Sequence, residues 1–199
     1  LFWGSPHGIG VSVVAGTGSN AYASNGRGRE CFTSGLGRML AEQGSALWLT
    51  QKMLRAVGKS YDGRGPRSLL EKVYVDHFGA KDVRDSMKYL HELYRDKAKL
   101  AALAPLVEKA AKKGDKVAKG ILKEAGEELA LMVTTCIKKV RLQRQEFPVV
   151  LIGGVWKVKD VREVFEKQVR KVSRQVSFVR PKNKPVIGAG RLAIKEVTK

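Results

Sequence analysis

The chain has 199 residues, a formal net charge of +19 and a hydrophobic fraction of 43%, enough apolar content at this length for a full core in one domain or one lobe of a larger protein. It carries no apolar run long enough to span a membrane as a helix, and its two cysteines, Cys31 and Cys136, make no CxxC pair. A disulfide framework, a thiolate metal centre and a helical membrane anchor are therefore not expected, and a reducing cytoplasm is.

The positive charge invites a nucleic-acid reading, because clustered Lys and Arg release counterions from a phosphate backbone. Lys109, Lys112, Lys113, Lys116, Lys119 and Lys123 are instead spread along helical faces with no arm of aromatic platforms. A solvated face is the expected meaning, and a basic nucleic-acid module stays as an alternative. Leu1 is not an initiating residue and 1–3 is too short for a signal peptide, so the chain is expected to be cut from something longer.

In chain order, 1–8 reads as an end or linker, with Pro6 and Gly8 as breakers. Val11, Val13, Val14 and Ala15 make an apolar, β-branched run, expected to be a buried strand, that stops at Gly16-Thr17-Gly18-Ser19-Asn20. Two glycines admit positive φ and bring no Cβ, so backbone N–H groups can converge there while Thr17 and Ser19 add hydroxyl donors, a concavity suited to phosphate. A plain hairpin turn leading into a return strand is the competing reading. Residues 21–23 are expected to pair back, Asn25-Gly26 to form a type I′ turn, and 29–33 to give a third strand. A second glycine loop, Ser34-Gly35-Leu36-Gly37, then precedes Glu42-Gln43-Gly44-Ser45, with Ser45 placed to cap a helix running through Val57.

The middle reads as helical. Pro66 suits the first turn of a helix carrying Leu69, Leu70, Val73 and Phe78 and ending at Gly79. Residues 83–94 form another amphipathic segment, and 100–111 leads to Gly114-Asp115, a helix stop followed by an N-cap. The longest helix is expected over 116–140, where Val117, Ile121, Ala125, Leu129, Met132, Cys136 and Val140 recur at three- to four-residue spacing, Cys136 reading as a packed small hydrophobe. The unalternated run 147–152 predicts a strand buried on both faces. It stops at Gly153-Gly154-Val155-Trp156-Lys157, where paired glycines let a ligand approach the backbone at the strand's carboxyl end. A helix over 158–173, a strand over 175–179 and a closing helix through Leu192 and Ile194 complete the reading.

Five of these pieces occur in an order and spacing that resemble the carboxyl-terminal half of N-acetylglucosamine kinases and, more widely, the BadF/BadG/BcrA/BcrD-type ATPases of the sugar kinase, Hsp70 and actin superfamily. They are the strand and turn at 13–20, the Gly35-x-Gly37 loop ahead of Glu42-Gln43-Gly44-Ser45-Ala46, the Gly114-Asp115 junction, the segment 149–156 and Gly188-Ala189. The resemblance implies an α/β, ribonuclease H-like lobe with a five-stranded mixed sheet and a large helical insertion over about 45–140. Residues 1–199 would be the single carboxyl-terminal lobe of a two-lobed kinase, with the amino-terminal lobe absent from the chain.

The same resemblance implies ATP and Mg²⁺ as cofactors and phosphoryl transfer to a sugar hydroxyl, a reaction carried by positioning and by donors aimed at phosphate. It assigns phosphate contacts to Gly16, Thr17, Gly18 and Ser19, adenosine contacts to Gly153, Gly154, Val155 and Lys157, and a sugar pocket to Asn20, Gly35, Leu36, Gly37, Glu42 and Gln43. Two departures stand out. The family's pocket loop reads Gly-Gly-Trp-Gly and its acidic pair Asp-Glu, whereas here Leu36 removes an aromatic wall and Glu42-Gln43 changes the hydrogen bonding offered to sugar hydroxyls. The catalytic base and the first phosphate-binding hairpin would precede Leu1, so the lobe is expected to be inactive alone. Implied partners are the amino-terminal lobe, on the same protein or a second chain, and a small sugar or amino sugar; a homodimer is left open. The other reading within the family is an ATPase that drives conformational change, as in activators of 2-hydroxyacyl-CoA dehydratases. It ranks lower because those hold a cysteine-ligated iron–sulfur cluster.

Overall fold

The computed structural model describes residues 8–37 and 39–181; the expected closing helix through Leu192 and Ile194 lies outside the described residues. Five strands, β1 (Gly10–Ala15), β2 (Ser19–Ser24), β3 (Glu30–Ser34), β4 (Phe147–Ile152) and β5 (Val176–Val179), form one sheet in the order β3-β2-β1-β4-β5. β1, β2 and β3 are an antiparallel meander, while β4 and β5 run parallel to β1. Between β3 and β4 lie α1 (Ala46–Tyr61), α2 (Leu69–Phe78), α3 (Met87–Leu93), α4 (Lys97–Ala101), α5 (Pro105–Lys112) and α6 (Lys116–Val140). The helix α7 (Lys159–Val172) is the crossover from β4 to β5. The mixed α/β sheet with its large helical insertion is thus as expected. No described helix is long and apolar enough to cross a membrane.

The core sits where α6 crosses β1, β2 and β3. Val149, Val150 and Leu151 are all buried, because β4 lies between β1 and β5 and needs apolar side chains on both faces. Across α6, Ala125, Leu129, Val133, Cys136, Ile137 and Val140 are fully buried, one helical stripe laid on the sheet. α7 closes against α6 at Gly126 and carries Phe165 between Trp156 and Phe178, with ring centroids 4.6 and 5.7 Å away.

Three local expectations are corrected. Ser24 pairs with Glu30, so β2 and β3 are joined by five residues rather than a two-residue type I′ turn. Asn25 sets that loop with its side chain, whose Oδ1 accepts from the Arg27 and Arg29 N–H groups. Pro66 lies in the loop before α2, not in its first turn. The helix begins only at Leu69, where Ser68 caps it and the Leu69 N–H donates to Asp115 Oδ2 at 2.7 Å. The other oxygen of Asp115 accepts from Ala118 N–H at 2.7 Å, so one carboxylate caps α6 and anchors the start of α2. The segment 100–111 is two short helices, α4 and α5, since Pro105 cannot continue the first and instead opens the second.

The two cysteines meet across 105 positions of sequence, with their sulfurs 3.3 Å apart and the Thr33 hydroxyl 3.4 Å from Cys136 Sγ. Burial pushes the Cys136 thiol up from its ordinary 9.0 to about 12. The folded chain therefore holds this proton more tightly than the unfolded chain does. Its contribution to stability is complete below 9.0 and is lost as pH climbs through about 12. We expect the urea midpoints of the wild type and Cys136→Ser to draw together as pH is raised past 9.0; a gap that widens with pH would contradict this.

Candidate nucleotide and sugar site

The turn Gly16-Thr17-Gly18 is the tip of the β1–β2 hairpin, closed by Ala15 opposite Ser19 and by the Gly16 N–H donating to the Gly18 carbonyl at 2.9 Å. The plain hairpin turn is therefore what forms here, and neither Gly16 nor Gly18 takes a positive φ. Helix α1 begins directly against it, as the Ala46 N–H donates to the Gly16 carbonyl at 2.8 Å and the Leu47 N–H to the Thr17 carbonyl at 3.3 Å. Ser45 Oγ accepts from Trp48 N–H, so the first turn of α1 has its otherwise orphaned donors satisfied by the glycine turn and one cap. A trans peptide points its C=O and N–H in opposite directions. Fixing the Gly16 and Thr17 carbonyls on α1 thus turns the Thr17 and Gly18 N–H groups away from the helix, and neither has a hydrogen-bond partner among the described residues. Thr17 is exposed. Ser19 differs from the expectation of a cleft-facing hydroxyl: it is 3% exposed and donates inward to the Gln43 carbonyl at 2.7 Å.

The second bend lies alongside, at the carboxyl end of the neighbouring parallel strand β4. Gly153 has φ 111° and ψ 171°, a conformation open to glycine almost alone. It sits so close to β1 that a Cβ would lie 2.3 Å from the Ala15 carbonyl oxygen. The 3₁₀ turn Gly154–Lys157 that follows is held by Trp156, whose indole N–H donates to the Ile152 carbonyl at 3.0 Å, and by Arg180, which donates to the Trp156 carbonyl.

Both bends open into one cavity of about 520 Å³, lined by Gly16 and Thr17 on one side and Gly154, Val155 and Lys157 on another. Its remaining walls come from α1 (Ala46, Leu49), from the α4–α5 corner (Ala98, Ala102, Pro105, Glu108), and from Leu122 of α6 and Val158. These insertion residues carry no motif, and sequence reasoning missed them; the signal available was alanine at 98 and 102, four apart, beside Lys97 and Lys99.

Beside the tip, at Gly18, lie some of the residues expected to bind sugar. Glu42 lies with its carboxylate against Gly18, where a Cβ would be 3.0 Å from Oε1, and its N–H donates to Ser34 Oγ at 2.9 Å. Ser34 Oγ in turn donates to the Ser19 carbonyl at 2.9 Å, and Gly35 borders Asn20. Ser34 and Glu42 hold positive φ values of 64° and 73°, strain that persists only where surrounding bonds over-determine it. Gln43 contributes its backbone carbonyl to Ser19. Leu36 is not drawn into this cluster and stands 70% exposed, while the Gly37 carbonyl closes the next turn by accepting from Ala41 N–H at 2.9 Å.

A family model for the BadF/BadG/BcrA/BcrD ATPase family matches residues 2–193. The chain belongs to the BadF/BadG/BcrA/BcrD ATPase family. Among relatives of this BadF-type chain, the N-acetylmuramic acid/N-acetylglucosamine kinase of Clostridium acetobutylicum is 31% identical over 188 residues, covering 94% of this chain and 61% of that protein. The N-acetyl-D-glucosamine kinase of Dictyostelium discoideum is 27% identical over 189 residues, covering 94% and 59%. A candidate N-acetylglucosamine kinase of known structure from Chromobacterium violaceum superposes with a TM-score of 0.73 at 28% identity, covering 94% of this chain and 61% of that one. The BadF-type chain thus spans about three fifths of the length of the curated relatives it matches.

Proposed function

We propose that this chain is the nucleotide- and sugar-binding carboxyl-terminal lobe of an ATP-dependent kinase that phosphorylates an amino-sugar hydroxyl. The observation that carries the reading is the meeting of two glycine bends, at the carboxyl ends of adjacent parallel strands, around one cavity. That volume lies within the range of roughly 300–1,000 Å³ usual for small-ligand sites. The residues fit ATP: the Thr17 and Gly18 N–H groups are donors for phosphate, the missing Cβ of Gly153 lets the β4 bend lie against Ala15 and Gly16, and Gly154 brings no side chain to the cavity wall. When bound, ATP supplies the transferable phosphoryl group. Thr17 lines this cavity and Gly18 abuts Glu42, so the tip would orient the donor while Asn20, Gly35 and Glu42 hold the acceptor hydroxyls.

The described residues include no grouping of three or more His, Cys, Asp or Glu side chains suited to a metal ion. The Mg²⁺ that accompanies ATP in kinases is therefore given no ligand here and no step. The catalytic base is assigned to an amino-terminal lobe, which would close the other half of the cleft, and cytoplasmic residence goes with free ATP as substrate.

The test is calorimetric titration of the chain with ATP and ADP, followed by an assay of ATP-dependent phosphorylation of N-acetylglucosamine and N-acetylmuramic acid with an amino-terminal lobe supplied. We expect nucleotide binding by the chain alone and turnover only in the mixture. Absence of nucleotide binding would refute the reading, and binding without turnover on any sugar would shift it to the conformational ATPases of the same family.

A further inference from the structure

The wall of the cavity opposite the glycine bends has a chemistry of its own. Ala98 and Ala102 are exposed, four residues apart and so on one face of the α4 region, and with Ala104 and Pro105 they present a smooth, apolar surface. Every neighbouring exposed position of α4 that does not line the cavity is lysine, at 97 and 99. Leu49, Leu122 and Val158 extend the apolar lining, and against it stands a single acid, Glu108. Its Oε1 is held by Lys112 Nζ at 2.7 Å, which fixes the carboxylate, while Oε2 has no hydrogen-bond partner among the described residues.

An apolar wall that carries a single acceptor-only group suits a heteroaromatic ring that presents a hydrogen-bond donor on its edge. We infer that the α4–α5 corner is the base-recognition wall of the site and that Glu108 is its specificity-determining residue, accepting a hydrogen bond from the exocyclic amine of adenine. This rests on the nucleotide reading of the cavity proposed above and adds to it the group that distinguishes one base from another. Lys112 is a positioning residue that holds one oxygen of the carboxylate. A base lacking the amine leaves Glu108 Oε2 unpaired in a partly dehydrated slot, where an unmade bond to a charged acceptor is most costly.

The experiment compares ATP with purine riboside triphosphate, which has hydrogen in place of the amine, as ligands of the full chain in the wild type, Glu108→Ala and Glu108→Gln. The wild type should bind ATP more tightly by on the order of tenfold to a hundredfold, the size of a hydrogen bond to a charged acceptor. Glu108→Ala should lose that preference through weaker ATP binding, with the analogue unchanged. Glu108→Gln keeps a carbonyl acceptor and should recover part of it. Helix content by circular dichroism controls for folding, and a merely structural Glu108–Lys112 pair would alter both ligands equally. Equal affinity for the two nucleotides in the wild type, or a preference that survives in Glu108→Ala, would overturn the inference and leave the kinase reading standing. Binding of neither nucleotide by the wild type would overturn both.

Discussion

Gly153→Ala should abolish nucleotide binding and lower stability by about 3 kcal/mol or more, the combined effect of a forbidden backbone conformation and a collision. The added methyl would sit 2.3 Å from the Ala15 carbonyl oxygen and 2.6 Å from its carbon, both main-chain atoms that no rotamer change can move. Relief requires β1 and β4 to separate at their carboxyl ends, where the two bends meet. For stability alone, Gly154→Ala is the internal control, because nothing lies within 4 Å of its hypothetical Cβ and its φ is ordinary. Urea unfolding and titration with ADP read the two effects separately. If Gly153→Ala keeps wild-type affinity, the abutment of the two bends does not form the site.

The second large effect runs against helix propensity. In a helix interior, Gly→Ala normally stabilises by roughly 0.5–1 kcal/mol, and Gly120, with open space around it, should follow that rule. Gly126, less than two turns further along α6, should do the reverse and lose about 2 kcal/mol. A Cβ there would meet the Val161 carbonyl oxygen at 2.6 Å and Val164 Cβ at 2.8 Å, the point where α7 crosses α6. Forcing the helices apart would also loosen Phe165 from Trp156 and so reach the second glycine bend. Urea midpoints of Gly120→Ala and Gly126→Ala that move in the same direction would show that the crossing is not tightly packed.

Much of this fold is legible in the sequence because its signals are local. Ser45, the Asp115 cap and the 116–140 stripe concern residues within a few turns of one another, and α1 and α6 begin where those caps place them. What escapes is set by partners distant in the chain. Nothing near Pro66 announces that Asp115 would reach across to Leu69 and delay the helix. Spacing likewise says nothing of Cys31 meeting Cys136, which depends on how α6 crosses the edge of the sheet. The bend at Gly153 is readable as a motif, since a φ of 111° and a missing Cβ are what glycine itself supplies. The inward turn of the Ser19 hydroxyl and the alanine wall depend instead on which neighbours arrive. The segment 83–94 shows the same limit: its apolar spacing forms only the short α3, with no residue of that helix buried.

Because helix α1 starts on the carbonyls of Gly16 and Thr17, the hairpin tip is in mechanical terms the end-plug of a four-turn rod rather than a free loop. Grafting a different tip, or lengthening it by even one residue, would uncap the rod and fray its foremost turn. Engineers who wish to retune the donor should leave the plug alone and work on the opposite wall, where side chains can be exchanged without disturbing any backbone ladder.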